Sequence, residues 1–211
     1  MSKQHDILQQ VGEYYSDKIR THGATPEGVD WNGEASQTLR FRQLAKVLPE
    51  VGKAAFSVLD FGCGYGAMYE WLHARYGQQM SFAGLDISEE MVNAAREKYP
   101  NAQWLTEVPP ATQYDYVLAS GIFNVRLETP NALWLQYIHD TLDTINALAG
   151  KGFSFNVLTI YSDPPKRRDY LFYADPLPLF DRCKRLYAKQ VALLHDTPLY
   201  EFTLIVRKKD T

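Results

Sequence analysis

The segment Val58-Leu59-Asp60-Phe61-Gly62-Cys63-Gly64-Tyr65-Gly66 carries an apolar run into a glycine triplet, with a carboxylate two places before the first glycine. Glycine is required in such a loop for two reasons: the turn needs positive φ, and a ligand must approach backbone that a Cβ would shield. Further along, a second apolar run ends in Asp86-Ile87-Ser88. An acid at that strand tip accepts two hydrogen bonds from a ribose 2′,3′-diol, so loop and acid together predict a site for an adenosine derivative. A glycine triplet alone marks only a tight turn. The two acids around it turn the turn into a binding site.

The elements that must hold these residues follow from periodicity. From residue 55 onward, short apolar runs alternate with amphipathic helices, the pattern of βαβ units around a parallel sheet. The spacing predicts strands at Ala55–Phe61, Met80–Leu85, Gln103–Leu105, Tyr116–Ser120 and Phe153–Ile160. The first and last are nearly continuous apolar runs, suited to a sheet covered on both faces. A helix capped by Ser88 carries Met91, Val92 and Ala95 on one face and stops at Pro100. Another starts at Thr129-Pro130, buries Leu135, Ile138, Leu142 and Ile145, and ends near Gly150. After a helix around 176–186, the runs Gln190–Leu194 and Tyr200–Val206 flank a short connection, which predicts an antiparallel pair. Residues 4–21 and 34–48 are helical in spacing, with a turn-rich stretch between them at Gly23–Gly33. The expected organisation is an N-terminal helical cap over residues 1–50 and a binding core over residues 51–211.

Composition narrows the function. The chain has 211 residues, 45% hydrophobic and 22% charged, and no apolar run reaches the ~20 residues of a membrane helix. The polar start, Met1 to Gln10, lacks an export signal, so the expected location is the cytosol. Two cysteines, Cys63 and Cys183, are too few for a disulfide framework or a four-ligand zinc site, and no metal is expected. A net charge of -3 argues against broad phosphate neutralisation and hence against nucleic acid as partner. A small-molecule acceptor fits better.

At the glycine loop the sequence resembles the class I methyltransferases, whose first motif reads V-L-D-x-G-C-G-x-G and whose acidic residue ends the second strand. The resemblance implies a Rossmann-like seven-stranded mixed sheet, the last strand antiparallel, with helices on both faces and S-adenosyl-L-methionine as cofactor. It implies that Gly62, Cys63 and Gly64 lie against the methionine portion, that Asp60 orients the amino group, and that Asp86 holds the ribose. Ile87 and Met91 would flank the adenine, with Thr106-Glu107 in the place where many members offer it a polar side chain. The fourth motif is similar to Tyr114–Gly121. Ligands sit at the carboxyl ends of strands in open α/β sheets, so Ser120 to Asn124 should face the site and Asp115, at the strand's beginning, should not. From the cap, Gly28–Asn32, Gln37 and Arg40 would reach the cofactor, Arg40 pairing with its carboxylate. The alternative for Arg40 is a surface position on its helix.

Methyl transfer from a sulfonium is an in-line displacement in which alignment supplies much of the catalysis, so a dedicated base is optional. Asn124, Tyr161 and Asp163 are the candidates for one. The histidines at 5, 22, 73, 139 and 195 form no spaced cluster and none is assigned. The expected acceptor pocket is lined by Trp31, Phe123, Tyr161, Tyr170 and Tyr173, near Phe172 and the basic run Lys166, Arg167 and Arg168. Asp163-Pro164-Pro165 is similar to the D/N-P-P-Y/F motif of amino-group methyltransferases, but it follows the wrong strand and has Lys166 in place of the aromatic, so it is set aside. Two alternatives stay open. Gly62, Gly64 and Ala67 satisfy a relaxed dinucleotide fingerprint, which allows an NAD(P)-dependent oxidoreductase; its Tyr14/Lys18 pair, however, precedes the glycine loop. Against it stand Asp60, Gly66 and the terminal hairpin. The second alternative is a non-catalytic module that binds S-adenosylmethionine.

Overall fold

The apolar run after residue 55 forms β1 (Phe56–Phe61), an interior strand of a seven-stranded sheet in a computed structural model that describes residues 3–29, 31 and 33–208. Its neighbours are β2 (Met80–Leu85) and β4 (Tyr114–Ala119), both parallel to it. Beyond β2 lies β3 (Gln103–Leu105), and beyond β4 lies β5 (Ala149–Leu158), again parallel. The hairpin of β6 (Gln190–Leu194) and β7 (Glu201–Arg207) completes the order β3-β2-β1-β4-β5-β7-β6. β7 runs antiparallel to both β5 and β6. This is the Rossmann-like sheet that the sequence resemblance implies.

Alternation along each strand splits the core in two. Leu59, Val117 and Leu204 enter one apolar cluster, while their neighbours Val58, Leu118 and Ile205 enter the other, all at 1% exposure or less. A period of two with both sets buried requires helices on both faces. On one face α5 (Asn131–Leu148) contributes Trp134, Ile138, Leu142 and Ile145. On the other lie α3 (Ala67–Tyr76), α4 (Glu89–Lys98) and α2 (Glu34–Leu44), through Leu72, Val92, Ala95, Phe41 and Leu44.

Several boundaries differ from the sequence reading for identifiable reasons. Residues 149–152 are strand and not the end of a helix, because they pair with Tyr114 and Tyr116 of β4 and with Arg207 of β7; α5 passes into β5 without a loop. Leu135 is half-exposed while Trp134 is fully buried, which turns the stripe of α5 by one residue. The helix α6 (Pro176–Arg182) gives way to a π turn over Cys183–Tyr187. The crossover from β3 to β4 is only residues 106–113 and contains no helix, so one flank of the sheet's carboxyl edge lacks the usual cover.

α1 (Lys3–His22) supplies that cover. Ile7 and Val11 join the α5-side cluster, and Ile19 packs with Tyr65 and Met91. The helix therefore crosses the carboxyl edge above β1 and β2, with Gly12 against Ile87. A polar latch ties it to the start of α4: the Ser16 hydroxyl donates to Glu90 Oε2 at 2.8 Å and lies 2.8 Å from the Ser88 hydroxyl, and Arg20 reaches Glu90 at 2.8 Å.

Candidate cofactor site

The turn after β1 is held by amides pointing back into the protein. Gly62 N and Cys63 N both donate to the Leu85 carbonyl, at 2.7 and 2.9 Å, and Gly64 N donates to Asp86 Oδ2 at 2.8 Å. Gly62, Gly64 and Gly66 all have positive φ, at 82°, 52° and 84°. Close approach explains the outer two. A Cβ on Gly62 would lie 2.2 Å from Ile122 Cγ2, and one on Gly66 would lie 2.6 Å from the Trp104 ring. A pyrophosphate needs free amides at a helix N-terminus, and four of this loop's amides already have partners, Gly66 N donating to the Cys63 carbonyl. That is the arrangement of a loop that shapes a cleft, not one that cradles phosphates.

Asp86 sits at the tip of β2 with its carboxylate half-buried. Oδ1 accepts the Ser88 amide at 3.0 Å and Oδ2 the Gly64 amide. A carboxylate offers about four acceptor positions, so two remain. Burial raises its pKa, and the Ser88, Gly64 and Ile87 amides oppose the shift. Asp60, at 1% exposure, has an Oδ1 with no hydrogen-bond partner among the described residues. Burial, with the Asp86 charge adding to it, pushes the Asp60 carboxyl up to about 8. The Ser120 hydroxyl is likewise buried and unpartnered. The Cys63 thiol, raised well above its ordinary value by burial, is no nucleophile.

These groups surround one cleft of about 290 Å³ at the carboxyl edge of the sheet. Asp60, Gly62, Cys63, Gly64, Asp86, Ile87, Met91, Ser120 and Gly121 all line it, as do Thr106 and Glu107. Of the expected run Ser120 to Asn124, the first three residues line the cleft, and several other lining residues were missed by the sequence reading: Leu8, Val11 and Tyr15 from α1, Phe41 from α2, Tyr65 from the glycine loop, and Tyr137, Thr141 and Thr144 from α5. Only the apolar face of α1 gave any hint of this, and it could equally have faced a core. Gln37 also lines the cleft, and its amide donates to the Tyr65 hydroxyl at 3.1 Å.

Other expectations are corrected. Arg40 does not line the cleft; its guanidinium is bound to Glu201 through Nε, at 2.6 Å, and through Nη2. A buried carboxylate takes the place assigned to the cofactor's carboxylate. Of the residues expected around the acceptor, Trp31 lines the cleft but Phe123, Tyr161, Tyr170 and Tyr173 do not. Phe123 is a core residue at 0% exposure, packed on Phe155 and Tyr137, with its carbonyl accepting the Trp134 indole N–H. The chain after β5 folds back along the sheet through bridges at Thr159–Ala174 and Val125–Leu171, which carries the three tyrosines outward. Tyr161 is 62% exposed, the Tyr173 hydroxyl accepts the Arg168 amide, and the Tyr170 ring lies 6.4 Å from Tyr14.

The candidate bases fare similarly. Asn124 accepts the Leu158 amide, Asp163 accepts the Tyr200 hydroxyl, and neither lines the cleft. In the basic run, Arg167 donates to the carbonyls of Ser162 and Ile160 and Arg168 to that of Arg167. Asp30 and Asn32 lie outside the described residues. Among the described residues no group of three or more His, Cys, Asp or Glu is placed to hold a metal, and no helix is long and apolar enough to cross a membrane.

A Rossmann-like sheet whose carboxyl edge bears a glycine loop, an acid beneath it and an acid on the neighbouring strand defines the class I methyltransferases. The methyltransferase-domain family matches residues 58–144, and the chain belongs to it. It is 52% identical over 156 residues to the predicted methyltransferase Rv1506c of Mycobacterium tuberculosis, a match covering 72% of this chain and 93% of that one. Over 108 residues it is 35% identical to a trans-aconitate 2-methyltransferase of Afipia carboxidovorans, 45% of this chain and 40% of that enzyme. Among solved structures, the plantazolicin methyltransferase BpumL in complex with SAH superposes with a TM-score of 0.60 at 12% identity, covering 96% and 98% of the two chains. A sugar N-methyltransferase from Streptoalloteichus, KedS8, gives 0.59 at 14% identity, covering 92% and 93%. At such identities the likeness is one of fold.

The donor set fits the family's cofactor, S-adenosylmethionine. Two buried polar atoms without partners among the described residues, Asp60 Oδ1 and Ser120 Oγ, border the cleft. Buried polar groups are rarely left unpaired, and a polar ligand in the cleft accounts for both.

Proposed function

We propose that the chain transfers the methyl group of S-adenosylmethionine to a small, uncharged and largely apolar acceptor bound in the same cleft. The observation that carries this is the lining itself. Among the described residues it contains no lysine, arginine or histidine, and its only carboxylates are Asp60, Asp86 and Glu107. The remaining walls are dominated by Leu8, Val11, Tyr15, Val29, Trp31, Phe41, Ile122 and Tyr137. A polycarboxylate such as trans-aconitate would find no cation there, so the match to that methyltransferase is read as shared cofactor machinery.

In this reading Asp86 takes the ribose diol on its remaining lone pairs, and Asp60 takes the amino group. Gly62, Cys63 and Gly64 shape the wall along the methionine portion, Ile87 and Met91 flank the adenine, and Ser120 and Gly121 border the reacting end. When bound, the cofactor supplies a methyl group on a sulfonium, whose displacement gains most from alignment of the acceptor. α1 closes the cleft and excludes water, and residues 1–50 act as its cap. The two buried free cysteines suit a reducing compartment, and we assign the protein to the cytosol.

The test is transfer of isotopically labelled methyl from S-adenosylmethionine into a metabolite extract, fractionated by size and charge. Label in uncharged low-mass species is the expected result. Label confined to anionic metabolites or to macromolecules would overturn the acceptor class, and no transfer to any fraction would favour a non-catalytic binding module.

A further inference from the structure

Five residues far apart in sequence close a ring of contacts behind one wall of the cleft. The Gly121 amide donates to Asn156 Oδ1 at 2.7 Å, and Asn156 Nδ2 donates to Glu201 Oε2 at 2.6 Å. The other Glu201 oxygen accepts Arg40 Nε and Nη2. The Arg40 guanidinium lies 4.6 Å over the Trp31 ring, and that ring abuts Gly121, where a Cβ would come within 3.1 Å of it. The ring thus links the end of β4, the middle of β5, the start of β7, α2 and the loop before it. Only Trp31 and Gly121 face the cleft.

The polar members are costly to bury. The Arg40 and Glu201 side chains are 10% and 4% exposed, and Arg40 Nη1 has no hydrogen-bond partner among the described residues. A buried ion pair is weak support for stability, since apolar residues of similar size often replace it without loss. Fold stability alone therefore gives no reason for this one. Its geometry gives another: it fixes the left-handed Gly121 turn, at φ 75°, and the Trp31 ring relative to each other.

We propose that Arg40, Glu201 and Asn156 are positioning residues of the cofactor cleft. They hold Trp31 and Gly121 as a single wall, so that cofactor affinity depends on an ion pair outside the cleft. Through this relay the antiparallel hairpin, remote from the glycine loop in sequence, takes part in the site. The inference rests on the cleft being the S-adenosylmethionine site.

The test is calorimetric titration of the full chain with S-adenosylhomocysteine, alongside thermal unfolding. The variant Arg40→Met/Glu201→Gln removes both charges while leaving Asn156 an acceptor at position 201. We expect it to unfold cooperatively near the wild-type Tm but to bind S-adenosylhomocysteine about fivefold more weakly, the scale of an indirect coupling. In a Trp31→Ala background the same double change should cost much less, because the wall it acts through is gone. Wild-type affinity in the double variant, or an equal penalty in both backgrounds, would overturn the proposal. Should the double variant fail to fold, Asn156→Ser, which leaves the ion pair in place and frees the Gly121 amide, carries the same expectation and the same refutation. If wild-type protein itself does not bind S-adenosylhomocysteine, it is the assignment of the cleft that fails and not the relay.

Discussion

The carboxylate of Asp86 accepts the Gly64 amide at 2.8 Å, which joins the acid at the tip of β2 to the glycine loop of β1. The two strands are parallel neighbours, with Asp60 registered on Gly84 and Phe61 on Leu85, so the turn after one falls beside the acid after the other. Parallel pairing in the middle of the sheet creates the cleft, and the side chains then decide what it holds.

Asp86→Ala removes the proposed ribose acceptor and the partner of two amides at once. S-adenosylhomocysteine binding should weaken by about 1–3 kcal/mol, the range for leaving buried hydrogen-bonding groups unpaired, and calorimetry at a temperature where the variant is folded reads it. A lowered Tm with unchanged affinity would confine Asp86 to a structural role.

Asp60 makes stability, and in the proposed site binding, depend on pH. Its carboxyl has an ordinary value of 3.8 and about 8 in the folded protein, so the folded state holds a proton that the unfolded state releases between those values. This contribution is complete below the unfolded value and is lost as pH rises through about 8, so stability falls with increasing pH across that window. Burial raises Asp86 as well, and its slope has the same sign. Denaturant titrations from pH 5 to 8 should therefore give a shallower slope for Asp60→Asn than for wild type. Because an ammonium prefers the ionised carboxylate, binding of S-adenosylhomocysteine near pH 7 should also release protons, detectable by titration in buffers of different ionisation enthalpy.

Gly62→Ala meets two obstacles, a φ of 82° and Ile122 Cγ2 at 2.2 Å from the new methyl. We expect a loss of about 1–3 kcal/mol in urea unfolding, typical of backbone strain with overpacking. Adding Ile122→Ala should recover the clash but not the strain. Full recovery would show that the glycine is needed for space and not for its conformation.

Ser88 caps α4, accepting the Met91 amide at 3.2 Å, and touches Ser16 of α1. Ser88→Ala should cost about 1 kcal/mol as an N-cap loss, measured by urea unfolding. Hydrogen exchange should quicken in α1 beyond what that global loss explains, because the latch on the covering helix loosens.

The sequence made the centre of this molecule legible and its periphery less so. Strands β1 to β4 and the terminal hairpin follow from apolar alternation, and the loop acids from types and spacing that few other functions demand. Of the aromatic residues expected around the acceptor only Trp31 lines the cleft, because the path of the chain after β4 and β5, which no local pattern encodes, sends Phe123 to the core and Tyr161 to the solvent. Arg40 was misassigned because its partner Glu201 is remote in sequence. A charge opening an otherwise apolar strand, and Asn156 inside the run 153–160, were the available signals: polar groups in a covered sheet require partners.

The central claim is most directly tested by calorimetric titration of the purified protein with S-adenosylmethionine, S-adenosylhomocysteine and NADH in parallel. Micromolar binding of the first two with none of NADH is the predicted result. Binding of NADH alone would contradict the account and make the glycine loop a dinucleotide site.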